Sequence, residues 1–406
     1  MEVKMAIKLS NRCRLIKPSP TLSLSAKAKE MKDAGIDVIS FSVGEPDFNT
    51  PEYIKASAHK AIDANFTRYT NNAGIPELRQ AICEKLLRDN GLKYSPKEIL
   101  VSPGAKAAIV NSLIAVCDDK DQVLMATPYW VSYPYQVALA NAEPVYIPTC
   151  EEKGYKIQPA DLEKAIKENP CSKVLIMNSP SNPTGTVYTQ AELSDIAEIC
   201  IKYNILVISD EIYERLVYDD AKHISIASIS EEMKQRTIVI NGVSKAYAMT
   251  GWRLGYAAGP GDIISAGGMV QEHTTSCVNS ITQYACVTAL KEEDDSIEKM
   301  RVEFARRRDF LYEELKKLPH ITCFKPQGAF YIMPGIKWYL ENNNQNIKTS
   351  DDFCAKLLDK YYVALVSGNS FGMEGTVRFS YANSIENIKE GLNRFASFLA
   401  ELASGR

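Results

Sequence analysis

Lys245 lies in a segment whose composition suits covalent amine chemistry. The segment Ser244–Tyr256 reads SKAYAMTGWRLGY and follows the apolar run Thr237–Ile240. An amine among small neighbours at a strand end can lose part of its hydration, which lowers its pKa and favours Schiff-base formation with a carbonyl. Arg253, eight positions later, offers a fixed cation for a phosphate. A lysine between Ser and Ala is by itself usually a solvated surface residue, so the flanking pattern carries this interpretation.

A carboxylate and a phenol follow a second apolar run. Asp210 comes directly after Ile205–Ser209, and Tyr213 is three positions further on. A carboxylate at a strand end can pair with a protonated ring nitrogen, and the tyrosine hydroxyl can reach the same ligand. For an isolated aspartate after a strand, a helix N-cap is the more usual explanation. Both interpretations of Asp210 stay open at this point.

Two more strand ends carry turn-forming sequences. The string 178–185, NSPSNPTG, places Asn182 between prolines and ahead of a glycine, which presents its amide rigidly. The string 102–106, SPGAK, leads into a predicted helix. Free N–H groups at a helix N-terminus form an anion site, and Gly104 permits close approach. Taken alone, an ordinary turn explains either string.

The elements that must position these residues alternate along the chain. Compact apolar runs separated by helix-period segments predict a mainly parallel sheet with helices on both faces. In such sheets ligands bind beyond the carboxyl ends of the strands, where the residues above occur. The predicted strands of this sheet are Ile99–Val101, Val123–Ala126, Val145–Ile147, Val174–Met177, Ile205–Ser209, Ile238–Asn241 and Leu254–Ala258. The predicted helices are Pro51–Asn65, Ile75–Asn90, Ala105–Cys117, Pro159–Lys167, Gln190–Tyr203, Asp262–His273 and Ile281–Lys291.

A smaller α+β unit is predicted after a long charged helix over Ser296–Lys317. We expect residues 1–50 to form an N-terminal arm and part of this smaller domain, 51–315 the large domain, and 316–406 the C-terminal small domain. The predicted strands of the last part are Ile321–Phe324, Ala329–Met333, Ala364–Val366 and Val377–Tyr381, and its predicted helices are Ser350–Asp359 and Glu386–Leu402.

Composition excludes several classes of protein. The 406 residues are 45% apolar and 24% charged, with a formal net charge of −3, which argues against a nucleic-acid partner. No apolar run approaches the roughly 20 residues that span a bilayer, so no membrane partner is expected. The ten cysteines contain no C-x-x-C pair and the four histidines no metal-ligand spacing. We therefore expect a cytoplasmic protein with reduced thiols, no metal, and a basic N-terminal arm.

Taken together and in their order along the chain, the four motifs resemble the fold-type I pyridoxal-phosphate enzymes of the class I aminotransferase family. The similarity is closest to the bacterial aspartate aminotransferases of subgroup I-beta. It runs from about Lys17 to the C-terminus and includes the strings at 44–48 and 128–134, Tyr69 and Arg378. The resemblance implies an α/β protein with a mostly parallel seven-stranded sheet in a large domain and a smaller α+β domain.

The resemblance also implies roles around the ring of pyridoxal 5′-phosphate. Lys245 would bind the cofactor covalently and later move a proton. Asp210 would pair with the pyridine nitrogen and keep it protonated, which makes the ring an electron sink. Tyr213 and Asn182 would bind the ring's phenolate oxygen, and Trp130 would stack on the ring face.

Other matching positions imply phosphate and subunit contacts. Tyr69 would reach the phosphate of the neighbouring subunit's cofactor, so the active unit would be a homodimer. The phosphate would lie in a cradle formed by Gly104, Ala105, Ser244 and Arg253.

For the substrate, the resemblance implies that Arg378 binds the α-carboxylate in a bidentate fork and that Gly44 contacts the substrate through its backbone. Trp130 and Asn182 would also contact the substrate. Lys106 matches a position that recognises the distal carboxylate in this subgroup, and Lys17 matches an arm position linked to prephenate use. We therefore expect ping-pong transfer between aspartate and 2-oxoglutarate, with prephenate as a further substrate.

Two alternatives remain open on the sequence, and a third is disfavoured. An aromatic, alanine or kynurenine aminotransferase would share the whole cofactor constellation. A pyridoxal-phosphate lyase would share it too, because the bond that breaks depends on which one stands perpendicular to the ring. A ligand-sensing regulatory module would need a DNA-binding unit, for which the residues ahead of the resemblance are too few.

Overall fold

The computed structural model describes residues 10–292, 294–343 and 345–404. In this part of the chain a seven-stranded sheet forms the centre of the fold. The strands, in chain order, are β1 (Ile39–Ser40), β2 (Ile99–Ser102), β3 (Gln122–Thr127), β4 (Glu143–Pro148), β5 (Ser172–Asn178), β6 (Leu206–Asp210), β7 (Thr237–Gly242), β8 (Gly255–Ala258), β9 (Tyr331–Ile332), β10 (Val363–Ala364), β11 (Val366–Ser367) and β12 (Val377–Ser380).

The central sheet has the order β2-β8-β7-β6-β5-β3-β4. The strands from β7 through β4 pair in parallel, whereas β8 is antiparallel to both of its neighbours. Each of the seven predicted strands overlaps one of these, which confirms the mostly parallel sheet. Asn178 at the end of β5 pairs with Asp210 at the end of β6, so the two motifs end at one edge of the sheet.

Burial on both faces explains why the strands read as continuous apolar runs. All six residues of β7 are buried, and so are four of the five in β6. A sheet covered by helices on both sides leaves no solvated face that would impose an alternating pattern. The first polar residues after each run therefore mark the strand's carboxyl end.

The helices begin and end where local signals place them. Thr189 and Glu192 form a capping box at the start of one helix, and Gly91 ends another in the left-handed conformation. The helices are α1 (Asn11–Leu15), α2 (Pro20–Asp33), α3 (Glu52–Asp63), α4 (Pro76–Asn90), α5 (Ala105–Val116), α6 (Tyr133–Leu139), α7 (Pro159–Glu168), α8 (Gln190–Lys202), α9 (Glu231–Lys234), α10 (Gly261–Thr274), α11 (Ser280–Lys291), α12 (Ser296–Lys317), α13 (Lys337–Glu341), α14 (Ser350–Tyr361) and α15 (Ile385–Ser404).

The C-terminal part differs from its prediction in two places. The predicted strand Ile321–Phe324 reduces to one isolated bridge between Thr322 and Gly335. The predicted strand Ala364–Val366 is divided, because β10 pairs in parallel with β1 while β11 joins an antiparallel sheet of order β11-β12-β9. The second sheet carries Arg378 in β12.

The pairing of β1 with β10 joins the N-terminal segment to the C-terminal part. The domain boundaries at residues 50 and 315 stay a prediction. Lys4 and Lys8 of the predicted basic arm lie outside the described residues.

No helix of the described ranges is both long and apolar enough to cross a membrane. The cytoplasmic location also stays a prediction.

Candidate active site

A cavity of about 460 Å³ opens at the carboxyl edge of the central sheet. Its wall is formed by residues that follow strands of the large sheet, by Arg378 of the second sheet and by residues of α2. The predicted site residues in this wall are Gly44, Ala105, Lys106, Trp130, Asn182, Asp210, Tyr213, Ser244, Lys245, Arg253 and Arg378.

Lys245 stands in the turn that follows β7, with its amine inside the cavity wall. Its Nζ donates a hydrogen bond to the backbone carbonyl of Gly44 and lies 5.8 Å from the ring centre of Tyr213. Burial lowers the pKa of the amine to about 8, and the charges of Arg378 and Arg253 act in the same direction. A fraction of this amine is therefore unprotonated near neutral pH, as a nucleophile requires.

Asp210 is a buried carboxylate held by two donors. The Tyr133 hydroxyl donates to its Oδ2 at 2.7 Å, and the Ile212 N–H donates to its Oδ1 at 3.3 Å. Burial raises the pKa of Asp210 to about 6, although both hydrogen bonds and the charge of Lys245 oppose this. The chain continues into a turn rather than a helix, so the N-cap interpretation of Asp210 is wrong. A cationic group beside this carboxylate would relieve the cost of its burial.

Tyr213 and Asn182 face the same cavity with polar groups available to a ligand. The hydroxyl of Tyr213 lies 3.0 Å from that of Tyr331, and its ring packs edge-on against Phe330 at 5.5 Å. The Asn182 backbone N–H donates to Asn178 Oδ1 at 2.7 Å, which fixes the turn after β5. Asn182 is thus more than a plain turn residue, because its side chain is buried and bonded within the cavity wall.

Arg378 is only 2% exposed and is fixed by hydrogen bonds at both ends of its fork. Its Nη1 donates to Asn182 Oδ1 and its Nη2 to the carbonyl of Ser42, both at 2.9 Å. The guanidinium carbon lies 4.4 Å from the ring centre of Tyr331 and 4.9 Å from that of Phe371. Its buried Nε has no partner among the described residues. A planar cation with donors to spare suits a carboxylate ligand.

Gly104 and Arg253 form a cradle at the start of α5. Gly104 is the N-cap of the helix without any side-chain cap, and its φ is +87°. A Cβ added there would lie 2.5 Å from Arg253 Nη2. The Arg253 fork donates to the carbonyls of Thr250 at 3.0 Å and Pro103 at 3.4 Å. Helix N–H groups and a fixed guanidinium together make an anion site.

Lys106 lies at the mouth of the cavity beside an aromatic ring. Its Nζ is 4.9 Å from the ring centre of Trp130. The Gln136 amide donates to the Lys106 carbonyl at 3.0 Å, which holds the first turn of α5 against α6. Partial burial and the neighbouring charge of Arg253 lower the pKa of Lys106.

Three predicted site residues are not among those that line the cavity, namely Gly104, which precedes Ala105 in the wall, Lys17 and Tyr69. Lys17 is exposed ahead of α2, and Tyr69 is 92% exposed. Conversely, the sequence assigned no role to Tyr133, Tyr331 or Ser42, which contact Asp210, Tyr213 and Arg378. Tyr133 lies inside the string 128–134 that carried the resemblance, whereas nothing in the sequence marks the other two.

Comparison with known proteins agrees with this geometry. The family profile "Aminotransferase class I and II" matches residues 36–395. An aspartate aminotransferase of Geobacillus stearothermophilus is 46% identical over 97% of this chain and 99% of its own. An aspartate/prephenate aminotransferase of Cereibacter sphaeroides is 44% identical over 97% of this chain and 99% of its own. The crystal structure of an aspartate aminotransferase from Rhizobium meliloti, 40% identical, superposes with a TM-score of 0.94 over 98% of this chain and 100% of its own. This chain therefore belongs to the class I and II aminotransferases.

Proposed function

We propose that this aminotransferase moves the amino group of L-aspartate to 2-oxoglutarate with pyridoxal 5′-phosphate as cofactor. The observation that carries the proposal is one cavity walled by the low-pKa amine of Lys245, the buried carboxylate of Asp210 and the fixed guanidinium of Arg378. The names of the relatives in Geobacillus and Rhizobium support the choice of aspartate.

The residues present fit pyridoxal phosphate group by group. The Lys245 amine suits its aldehyde, and the buried Asp210, which has no cationic side chain hydrogen-bonded to it among the described residues, suits a protonated ring nitrogen. Tyr213 and the amide nitrogen of Asn182 suit the phenolate oxygen. Trp130 lies in the same wall as a stacking surface. The phosphate would lie in the cradle of Gly104, Ala105, Ser244 and Arg253.

When bound, the cofactor supplies an electron-accepting ring that stabilises negative charge at the substrate α-carbon. The protein's share is proton transfer and orientation. Lys245 Nζ, with a pKa of about 8, takes the proton from the α-carbon and gives it back later in the same half-reaction. The Gly44 carbonyl, which accepts a hydrogen bond from Nζ, directs that amine while it is free.

Two cations suit a dicarboxylate substrate. Arg378 would bind the α-carboxylate, because its fork is buried and its Nε is open. Lys106, at the mouth, would bind the distal carboxylate. A substrate with one carboxylate would leave Lys106 without its counter-charge, so the arrangement favours aspartate over phenylalanine.

Prephenate is proposed as a further substrate through the N-terminal segment. Ser19, Thr21, Leu22 and Ser25 line the mouth of the cavity, and Lys17 lies just ahead of them. A panel of amino donors with 2-oxoglutarate and prephenate as acceptors tests this directly. Lys17→Ala should lower kcat/KM for prephenate several-fold and leave 2-oxoglutarate within about twofold.

We also propose a homodimer in which Tyr69 completes the partner's phosphate site. Its 92% exposure leaves the side chain free to project into a second subunit. Sedimentation should give twice the chain mass. Mixed dimers of Tyr69→Ala and Lys245→Ala subunits should recover activity, because one of their two sites has both residues intact. Failure of every mixture to gain activity over its parents would contradict the shared site.

The central test is Lys245→Ala. The wild-type protein should bind pyridoxal phosphate with the absorbance of a Schiff base, and borohydride should fix the cofactor to Lys245. The variant should lose the linkage and at least about 10⁴-fold in kcat, since it lacks both nucleophile and base. Lys164→Ala, an exposed lysine of α7, is the matched control. Retained turnover in Lys245→Ala would refute the mechanism.

The choice of substrate is tested at Lys106. Lys106→Ala should lower kcat/KM for aspartate by about 30- to 100-fold, which corresponds to roughly 2–3 kcal/mol for a partly desolvated charge pair. The value for phenylalanine should change by less than about threefold. Equal losses on both amino acids would instead favour an aromatic or alanine aminotransferase.

A further inference from the structure

The loop that bears Asp210 and Tyr213 has two polar sides. Asp210 and Tyr213 belong to the cavity wall. Glu211 and Glu214, each one position later, instead make their contacts with α4 and with residues 223 and 225. The loop itself is closed by a hydrogen bond from the Glu214 N–H to the Glu211 carbonyl at 2.9 Å. A displacement of Glu214 is therefore transmitted to Tyr213, its chain neighbour.

Glu211 anchors the start of this loop. It is 1% exposed, and its Oε1 accepts hydrogen bonds from Ser209 Oγ at 2.8 Å and Ser225 Oγ at 2.6 Å. His223 Nε2 lies 3.0 Å from the other oxygen, Oε2. All of these partners belong to the segment 209–225, so they hold the loop to its own surroundings.

Glu214 connects the loop to a different element. Its Oε1 pairs with Lys85 Nζ of α4, and its Oε2 accepts from Asn90 Nδ2 at 3.0 Å. Lys85 is 3% exposed, and its Nζ also donates to Asn90 Oδ1 at 2.8 Å. Burial works to raise the pKa of Glu214, but the charges of Lys85 and His223 outweigh it and hold this pKa at about 2. Glu214 is therefore ionised at neutral pH.

This geometry is not that of a metal site. Glu211, Glu214 and His223 place ligand atoms within 4.8 Å of one another. The ammonium of Lys85 already neutralises Glu214, and two serine hydroxyls already bind Glu211. Both carboxylates of the cluster are thus already bound by ion pairs and hydrogen bonds, and only Nδ1 of His223 has no partner among the described residues.

A buried ion pair contributes little net stability, because desolvation of both charges offsets their attraction. Removing one partner, however, leaves an uncompensated charge and moves the backbone around it. On the basis of the proposed cofactor, we propose that Glu214, held by Lys85, is a positioning residue that keeps the Tyr213 hydroxyl at the cofactor's phenolate oxygen. Glu214 acts through Tyr213 and does not touch the cofactor.

The test is a thermodynamic cycle on cofactor affinity. Glu214→Gln and Lys85→Met should each raise the dissociation constant for pyridoxal phosphate about tenfold, measured by the absorbance of bound cofactor in the full-length protein. In a Tyr213→Phe background, which lacks the hydroxyl, Glu214→Gln should add less than about twofold. Two residues that act independently would give the full tenfold in both backgrounds.

Controls separate positioning from folding. Glu192→Gln removes a half-exposed carboxylate of α8 that pairs with Lys156, and it should leave the dissociation constant within about twofold. The charge-balanced variant Lys85→Met with Glu214→Gln keeps the test available where a single variant does not fold, and it should also bind about tenfold more weakly. Weaker thermal stability with unchanged affinity would overturn the inference, and so would full additivity with Tyr213→Phe. A wild-type protein that binds no pyridoxal phosphate would refute the proposed function instead.

Discussion

Arg378 on β12 donates a 2.9 Å hydrogen bond to Asn182 in the turn after β5, so a residue of the second sheet is joined to a residue of the central sheet. The two positions are 196 residues apart in sequence. Asn182 uses its oxygen for this bond, which leaves its amide nitrogen for a ligand. One contact therefore orients both the proposed carboxylate site and one side of the proposed ring site.

Arg378→Lys should impair catalysis far more than a change of one cation for another suggests. A lysine keeps the charge but loses the planar fork, and it cannot bind a carboxylate and Asn182 together. We expect kcat/KM for aspartate to fall about 100-fold, or roughly 2.7 kcal/mol. Arg394→Lys, in an ion pair of α15 with Asp37, should stay within about twofold. A loss below about threefold for Arg378→Lys would contradict the assignment.

Asp210→Asn should stabilise the cofactor-free protein at pH 8 while it weakens cofactor binding. Burial raises the pKa of Asp210 from 3.8 to about 6, so the folded state holds this proton more tightly than the unfolded state. Stability from this group is then greatest below pH 3.8 and is lost as pH rises to about 6. The cost above that range is at most about 3 kcal/mol, and the neutral amide removes it.

The check is thermal unfolding of both cofactor-free proteins from pH 4 to pH 8. The melting temperature of Asp210→Asn should exceed that of the wild type at pH 8, and the difference should shrink towards zero at pH 4. A constant difference across this range would show that Asp210 does not titrate within it.

The fold was predictable where burial acts on both faces of an element. The runs behind β6 and β7 are continuous and apolar, so both their existence and their polar ends could be read from the chain. Helix α6 was missed because it is short, rich in aromatic residues and has Pro134 in its first turn, where a proline is tolerated. The predicted strand at 364–366 was wrong because its two ends pair with different sheets.

The site was predictable only in part for a related reason. Asp210 ends β6, and Asn182 and Lys245 follow β5 and β7, so topology alone brings them to one edge. The bonds from Tyr331 to Tyr213 and from Arg378 to Asn182 join distant parts of the chain. No spacing encodes such contacts. Arg378 could be assigned from the resemblance alone, and Tyr331 could not be assigned at all.

Arg307 should stabilise the loop that presents Gly44 to Lys245. Its Nη1 donates to both oxygens of Asp47, at 2.7 and 2.9 Å, and its Nε donates to Glu303 at 2.8 Å. Arg307→Met should lower the free energy of unfolding by roughly 1–3 kcal/mol. The Arg307 side chain is only 9% exposed, and its removal leaves Asp47 unpaired.

Chemical denaturation measures the free energy of unfolding of Arg307→Met, and Arg306→Met is the control variant. Arg306 also pairs with Glu303, but its side chain is 56% exposed, so its loss should cost less than about 1 kcal/mol. The KM for aspartate should rise in Arg307→Met, since the Gly44 carbonyl loses its support. Equal destabilisation by the two variants would show that the Asp47 contact contributes nothing.

Gly104→Ala should weaken binding of the cofactor's phosphate in addition to destabilising the fold. The added Cβ would lie 2.5 Å from Arg253 Nη2 on a backbone with φ of +87°, so the guanidinium must move out of the cradle. We expect affinity for pyridoxal phosphate, and for inorganic phosphate as its competitor, to fall about 10- to 100-fold.

Gly91→Ala is the matched control, because Gly91 also has a positive φ, of +67°, but an added Cβ there meets nothing within 4 Å. Each substitution should cost roughly 1–3 kcal/mol of stability from backbone strain. Only Gly104→Ala should change the phosphate dissociation constant, and a similar change in Gly91→Ala would mean that the cradle is not the phosphate site.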